Sequence, residues 1–147
     1  APGRGRGIAL QECFGSIVAQ VVEVTVVDGN LSVDRVVAVI DAGYAISPDG
    51  MKAQIESGII YGLSAALYGE ITIKDGAVVE SNFHDYPSVR MSKAPVIETH
   101  IINSGEAMGG AGEPGTPPIA PALANAIFNA TGERIRQLPI KNAIFKV

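Results

Sequence analysis

Two periods organise this chain, and valine marks the first of them. From Val18 to Val27 polar and apolar residues take turns, the pattern of a strand with one buried face. Asp28-Gly29-Asn30 then supplies residues that tolerate a hairpin turn. Leu31 to Asp41 is the returning strand, more apolar towards its end. After a loop holding Ser47-Pro48-Asp49 the period lengthens. Ile55, Ile59, Ile60, Leu63 and Leu67 keep helical spacing and predict a helix from about Asp49 to Leu67, with Ser47 as N-cap and Pro48 opening it. Gly58 and Gly62 fall four apart on one side of that helix, where small residues favour close packing.

The alternation then returns. Glu70 to Lys74 and Ala77 to Ser81, joined by Asp75-Gly76, predict a second hairpin, and Pro95 to Ile102 a fifth strand with one half-buried face. A second helix is expected from about Pro118 to Thr131, with Ile119, Leu123, Ala124, Ile127 and Phe128 inward and Gly132 as its terminator. Ile8 to Ala19 shows no dominant period, Asn82 to Ala94 reads as irregular, and the tail beyond Pro139 is expected to be extended. Five strands in hairpins and two principal helices predict an α+β fold. Its expected form is two layers, a mainly antiparallel sheet with both helices packed on one face, within a single domain over 1–147.

Composition narrows the function classes. Hydrophobic content of 47% against 18% charged excludes a disordered chain. The net charge is −4 and the basic residues are scattered apart from Arg4 and Arg6, so nucleic acid is not expected as a partner. The Gly3-Arg4-Gly5-Arg6-Gly7 run opens no strand-to-helix unit of the phosphate-cradling type. Cys13 stands alone, which rules out an internal disulfide, an iron–sulfur cluster or a cysteine zinc site built from this chain. His84 and His100 are too isolated for a metal cluster, so no metal ligands are expected here. No apolar run reaches the length of a membrane span. The opening Ala1-Pro2-Gly3, without an initiator Met, is expected of a segment of a longer polypeptide.

The chemistry concentrates in Met108-Gly109-Gly110-Ala111-Gly112-Glu113-Pro114-Gly115-Thr116-Pro117-Pro118. Four glycines and three prolines surround one ionisable side chain, Glu113. Glycine allows close backbone approach and proline fixes φ, so together they make a stiff and unusual loop. A lone carboxylate held this way suits a general base presented to a bound molecule, or else a cap for the following helix. Cys13 reads as a small apolar side chain, His84-Asp85 as a loop hydrogen-bonding network or a dyad, and His100 as a surface residue. Arg90 reads as a loop-holding cation and Glu106 as solvated.

Two longer runs carry a family likeness. Ser47-Pro48-Asp49-Gly50-Met51-Lys52-Ala53-Gln54-Ile55-Glu56-Ser57-Gly58 and Gly109-Gly110-Ala111-Gly112-Glu113-Pro114-Gly115-Thr116-Pro117-Pro118 resemble the molybdenum hydroxylase (xanthine oxidase/aldehyde oxidase) family. More narrowly, the chain is similar to the C-terminal part of the molybdopterin-binding large subunit of isoquinoline 1-oxidoreductase-like (beta subunit) and aldehyde dehydrogenase-like members, from Gly3 to about Ile140. The resemblance implies a hydroxylase or dehydrogenase that oxidises an aldehyde or N-heterocycle at an sp2 carbon with water-derived oxygen. Glu113 matches the family's catalytic base and Gln54 the glutamine that contacts the pterin, while Gly110, Ala111 and Gly112 match backbone close to the cofactor. The implied cofactor is a molybdenum–pterin group, molybdopterin or its cytosine dinucleotide form, in the complete enzyme and not in the isolated chain. The implied partners are the remainder of the molybdenum subunit and an iron–sulfur subunit, in bacterial cytoplasm or periplasm. Ser47 and Ser57 depart from the family's usual Asn and Gly. They keep open a non-catalytic cofactor-binding or assembly domain as the alternative.

Overall fold

The computed structural model describes residues 3–140 and Phe145. The valine alternation forms β2 (Ser16–Val27) and β3 (Asn30–Asp41), paired antiparallel through a turn in which Asp28 and Gly29 both have positive φ. A right-handed strand twist favours this type of turn. Val18, Val22, Val24, Val36, Ala38 and Ile40 point inward and are essentially inaccessible to solvent. They meet Ile55, Ile59 and Leu63 of α1 (Pro48–Leu67) and Ile119, Leu123 and Ile127 of α2 (Ile119–Thr131). Fully burying each such side chain is worth about 1.5–3 kcal/mol, and this one cluster is the core. Ser47 does occupy the N-cap of α1 with Pro48 following, although its hydroxyl makes no capping bond. Gly132 ends α2 in the left-handed conformation, its N–H donating to Phe128 O.

The α+β architecture holds, with the sheet differing from expectation in three places. A strand missing from that expectation, β1 (Arg4–Cys13), runs from the Gly/Arg run into the stretch without a clear period and pairs with β2 along its length through a turn at Phe14-Gly15. Its inward positions are Gly5 and Gly7, which lie beneath α2 so closely that a Cβ on either would collide with helix backbone at Ala126 or Ala122. Glycine carries no hydrophobic signal, so the alternation was invisible in the sequence. The second hairpin is short: β4 (Ile73–Lys74) and β5 (Ala77–Val78) form a separate, exposed two-stranded ribbon. The last strand, β6 (Val96–Ile102), joins the main sheet parallel to β3 rather than in a hairpin, which makes the order β1-β2-β3-β6. The expected extended tail falls largely at residues outside those described, although Ile140 N–H donates to Ala66 O.

Candidate functional site

The loop between β6 and α2 is held from three directions. At the end of β3, Asp41 accepts hydrogen bonds from Gly43 N–H (3.0 Å) and Ser104 Oγ (2.8 Å), which keep its carboxyl below the usual range. Ala45 N–H donates to Asn103 Oδ1 (3.0 Å), and Gly109 N–H to Ala42 O (3.1 Å). The start of the loop is thereby clasped to the segment that follows β3.

Two polar side chains from the inward face of β2 hold the middle. Ser16 Oγ donates to Gly110 O at 2.6 Å and Gln20 Nε2 to Gly115 O at 2.7 Å. These two carbonyls bracket Glu113 in the chain. Gln20 is completely buried, and its Oε1 has no partner among the described residues. An unmet buried acceptor costs about 1–3 kcal/mol, which a valine at this position would avoid. Ser16 and Gln20 were passed over in the sequence. Their signal was present, because both fall in phase with Val18, Val22 and Val24 on an otherwise apolar face.

The third direction is α1. A Cβ on Gly58 would come within 3.2 Å of Gly115 Cα, and one on Gly62 within 2.6 Å of Ile119 Cγ2. Thr116 Oγ1 donates to Gly58 O at 3.2 Å. The tight packing expected at these glycines is real, and what packs there is the Gly/Pro loop. Gln54 and Glu113 lie on the two sides of this contact: Gln54 directly precedes Ile55, against which Gly115 packs, and Glu113 sits two residues before Gly115. A Cβ on Gly112 would be 3.9 Å from Gln54 Nε2.

Both predicted side chains are exposed, and among the described residues neither makes a side-chain hydrogen bond. Ala111 packs against the core, yet neither it nor Gly112 makes a hydrogen bond among the described residues. The structure thus brings Gln54 beside Gly112, which is followed in the chain by the exposed Glu113, with Gly110 tied down by Phe14 O and Ser16. Glu113 does not cap α2, which begins at Ile119 with Pro118 at the N-cap. Phe14, 64% exposed, stands beside Gly110 and was also unforeseen.

A separate concavity lies elsewhere. A cleft of about 690 Å³ runs between the outer side of α1 and residues 88–97, lined by Ser57, Tyr61, Ser64, Val89 and Ile97 among others. It touches neither Gln54 nor Glu113. His84 lies 3.5 Å from Asp85, whose carboxyl is held at about 2 by Asn82 and Ser81 N–H groups, a loop network. His100 is exposed beside Glu98 at 4.0 Å. Among the described residues no group of three or more His, Cys, Asp or Glu could hold a metal ion, and no helix is long and apolar enough to cross a membrane.

A family model described as the molybdopterin cofactor-binding domain matches residues 7–95, a span that includes Gln54 and ends before the Glu113 loop. The chain is 43% identical over 117 residues to isoquinoline 1-oxidoreductase subunit beta of Brevundimonas diminuta, covering 80% of this chain and 15% of that protein. It is 38% identical over 115 residues to a membrane-bound aldehyde dehydrogenase of Gluconacetobacter polyoxogenes, covering 78% of this chain and 15% of that protein, whose name carries pyrroloquinoline quinone. Among solved structures, the aldehyde oxidoreductase of Desulfovibrio desulfuricans superimposes with a TM-score of 0.71 at 26% identity, over 88% of this chain and 15% of that one. The chain therefore spans about 15% of the length of the curated relatives it matches. With more than half of its residues inside the family match, the chain belongs to the molybdopterin cofactor-binding domain family.

Proposed function

We propose that this chain is the part of a molybdenum-dependent hydroxylase or dehydrogenase that holds a pterin cofactor through Gln54 and the 110–112 backbone, and that Glu113 is its general base. One observation carries the reading. Close packing of α1 glycines against the Gly/Pro loop puts Gln54 and the Glu113 loop side by side, with neither the Gln54 nor the Glu113 side chain hydrogen-bonded among the described residues.

The residues fit the cofactor. An amide side chain offers both donors and acceptors to a pterin edge, and the N–H groups of Ala111 and Gly112, unbonded among the described residues, add donors with little side-chain bulk. When bound, the molybdenum–pterin group supplies two-electron redox chemistry beside the substrate carbon. Gln54 anchors and orients the pterin. Glu113 accepts, on a carboxylate oxygen, the proton of the water-derived oxygen that is added to the sp2 carbon. The bonds from Ser16 and Gln20 keep the loop from swinging, which matters because proton transfer demands placement to within a fraction of an ångström.

The substrate class is an aldehyde or an N-heterocycle, in line with the names of the relatives. These 147 residues hold one cysteine and cannot by themselves carry an iron–sulfur cluster; the reading assigns electron exit to an iron–sulfur subunit and completion of the pocket to the remainder of the molybdenum subunit. The test is Glu113→Gln in the full-length protein, assayed with aldehydes and N-heterocycles. Turnover should fall by at least about a hundredfold with molybdenum and pterin content unchanged. Undiminished turnover would place the base elsewhere, and a wild-type protein without molybdenum or pterin would favour an assembly domain.

A further inference from the structure

The three hairpins described above turn through two residues each, and their turns share one backbone conformation. Asp28-Gly29 has φ values of 50° and 78°, Asp75-Gly76 of 51° and 79°, and Phe14-Gly15 of 55° and 73°. A first residue at positive φ suits Asp, Asn or Gly, which tolerate the left-handed region. A bulky aromatic is an outlier there. The chain uses Asp-Gly twice and departs from it at the third turn, where burial does not compensate, since Phe14 remains 64% exposed. That third turn is the one that meets the Gly/Pro loop. Phe14 O accepts from Gly110 N–H at 2.8 Å, and Ser16 Oγ donates to Gly110 O at 2.6 Å. A Cβ on Gly110 would lie 3.1 Å from Phe14 Cβ and 3.8 Å from Phe14 Cγ, so the Phe14 side chain fills the space beside Gly110. A Cβ on Gly76, at the matching place in another turn, would meet nothing within 4 Å. A local rule broken where the turn touches a site, with little burial gained, points to a residue that serves the site.

We propose that Phe14 is a positioning residue: its side chain braces Gly110 and so holds the Ala111 and Gly112 N–H groups where the pterin takes them. The proposal rests on the cofactor reading given above. Two hydrogen bonds at a single glycine leave it free to rock about the line between them, and glycine resists such rocking least. A rigid side chain set against Gly110 blocks that motion. The donors that follow are then ordered before the cofactor arrives, and binding does not have to order them.

The test compares Phe14→Asn and Phe14→Tyr in the full-length protein. Asn is a favoured residue for this turn and keeps the backbone carbonyl but removes the ring, whereas Tyr keeps the ring. On protein prepared without cofactor, Phe14→Asn should leave the urea midpoint unchanged or higher, while exchange of the Gly110 amide quickens at least about tenfold. On loaded protein, Phe14→Asn should release molybdenum and pterin at least about tenfold faster during dialysis. Phe14→Tyr should match the wild type in all three measurements. Wild-type exchange or wild-type retention in Phe14→Asn overturns the proposal. So does a lowered urea midpoint, which makes the ring a support of the fold, and so does a Phe14→Tyr protein as leaky as Phe14→Asn. Those results leave the cofactor reading standing, whereas a wild-type protein without pterin takes down that reading and this inference together.

Discussion

Replacing Gly115 with alanine tests whether the Glu113 loop is set by its distance from α1. A Cβ at Gly115 would sit 2.6 Å from Ile55 O and 3.2 Å from Ile55 Cα. Both are helix backbone atoms and cannot rotate away, so the loop must move. Reaching ordinary contact, which begins at 3.4 Å, requires about 0.8 Å of outward shift two residues from Glu113. Overpacking of this kind destabilises by about 1–3 kcal/mol, and the smaller unfolded-state entropy of alanine returns about 0.4–1 kcal/mol. A net loss of about 1–2 kcal/mol is expected, seen as a lower urea midpoint for the 147-residue chain.

Two neighbouring glycines calibrate the result. Gly58→Ala meets Gly115 Cα at 3.2 Å and gains about 1 kcal/mol of helix propensity, so it should be nearly neutral. Gly112→Ala comes no closer than 3.9 Å to Gln54 Nε2 and should leave the midpoint unchanged. In the full-length enzyme the displaced loop should lower kcat by about a hundredfold for Gly115→Ala. If Gly115→Ala keeps both the wild-type midpoint and kcat, or if Gly58→Ala is the worse variant, the contact with α1 does not position the loop.

Gln20→Met removes the bond to Gly115 O together with the unmet Oε1, so the two effects offset and the stability loss should stay near or below about 1 kcal/mol. Hydrogen exchange at the Gly110 and Thr116 amides should nonetheless quicken, and unchanged exchange would show that Gln20 does not hold the loop. At Asp85, backbone N–H groups of Asn82 and Ser81 lower the carboxyl to about 2 from 3.8. The folded value is depressed, so this local stabilisation is fully present above 3.8 and is lost as pH falls through about 2. Carboxyl NMR titration should find that midpoint; a midpoint near 3.8 would mean that the Ser81–Asp85 turn does not form.

Much of this molecule is written in local pattern. The valine alternation of β2 and β3, the helical spacing of α1 and α2 and the Gly132 stop each follow from nearest-neighbour physics, where side-chain direction repeats with the backbone. The loop around Glu113 was legible for the same reason, since its glycines and prolines constrain φ wherever they stand. The pairing of Gln54 with Gly112, the roles of Ser16 and Gln20, and the parallel seat of β6 depend on contacts between residues far apart in the chain. No period encodes such contacts. β1 is the sharpest instance: its inward residues are glycines because α2 lies against them, so the strand could be recognised only once the helix was in place.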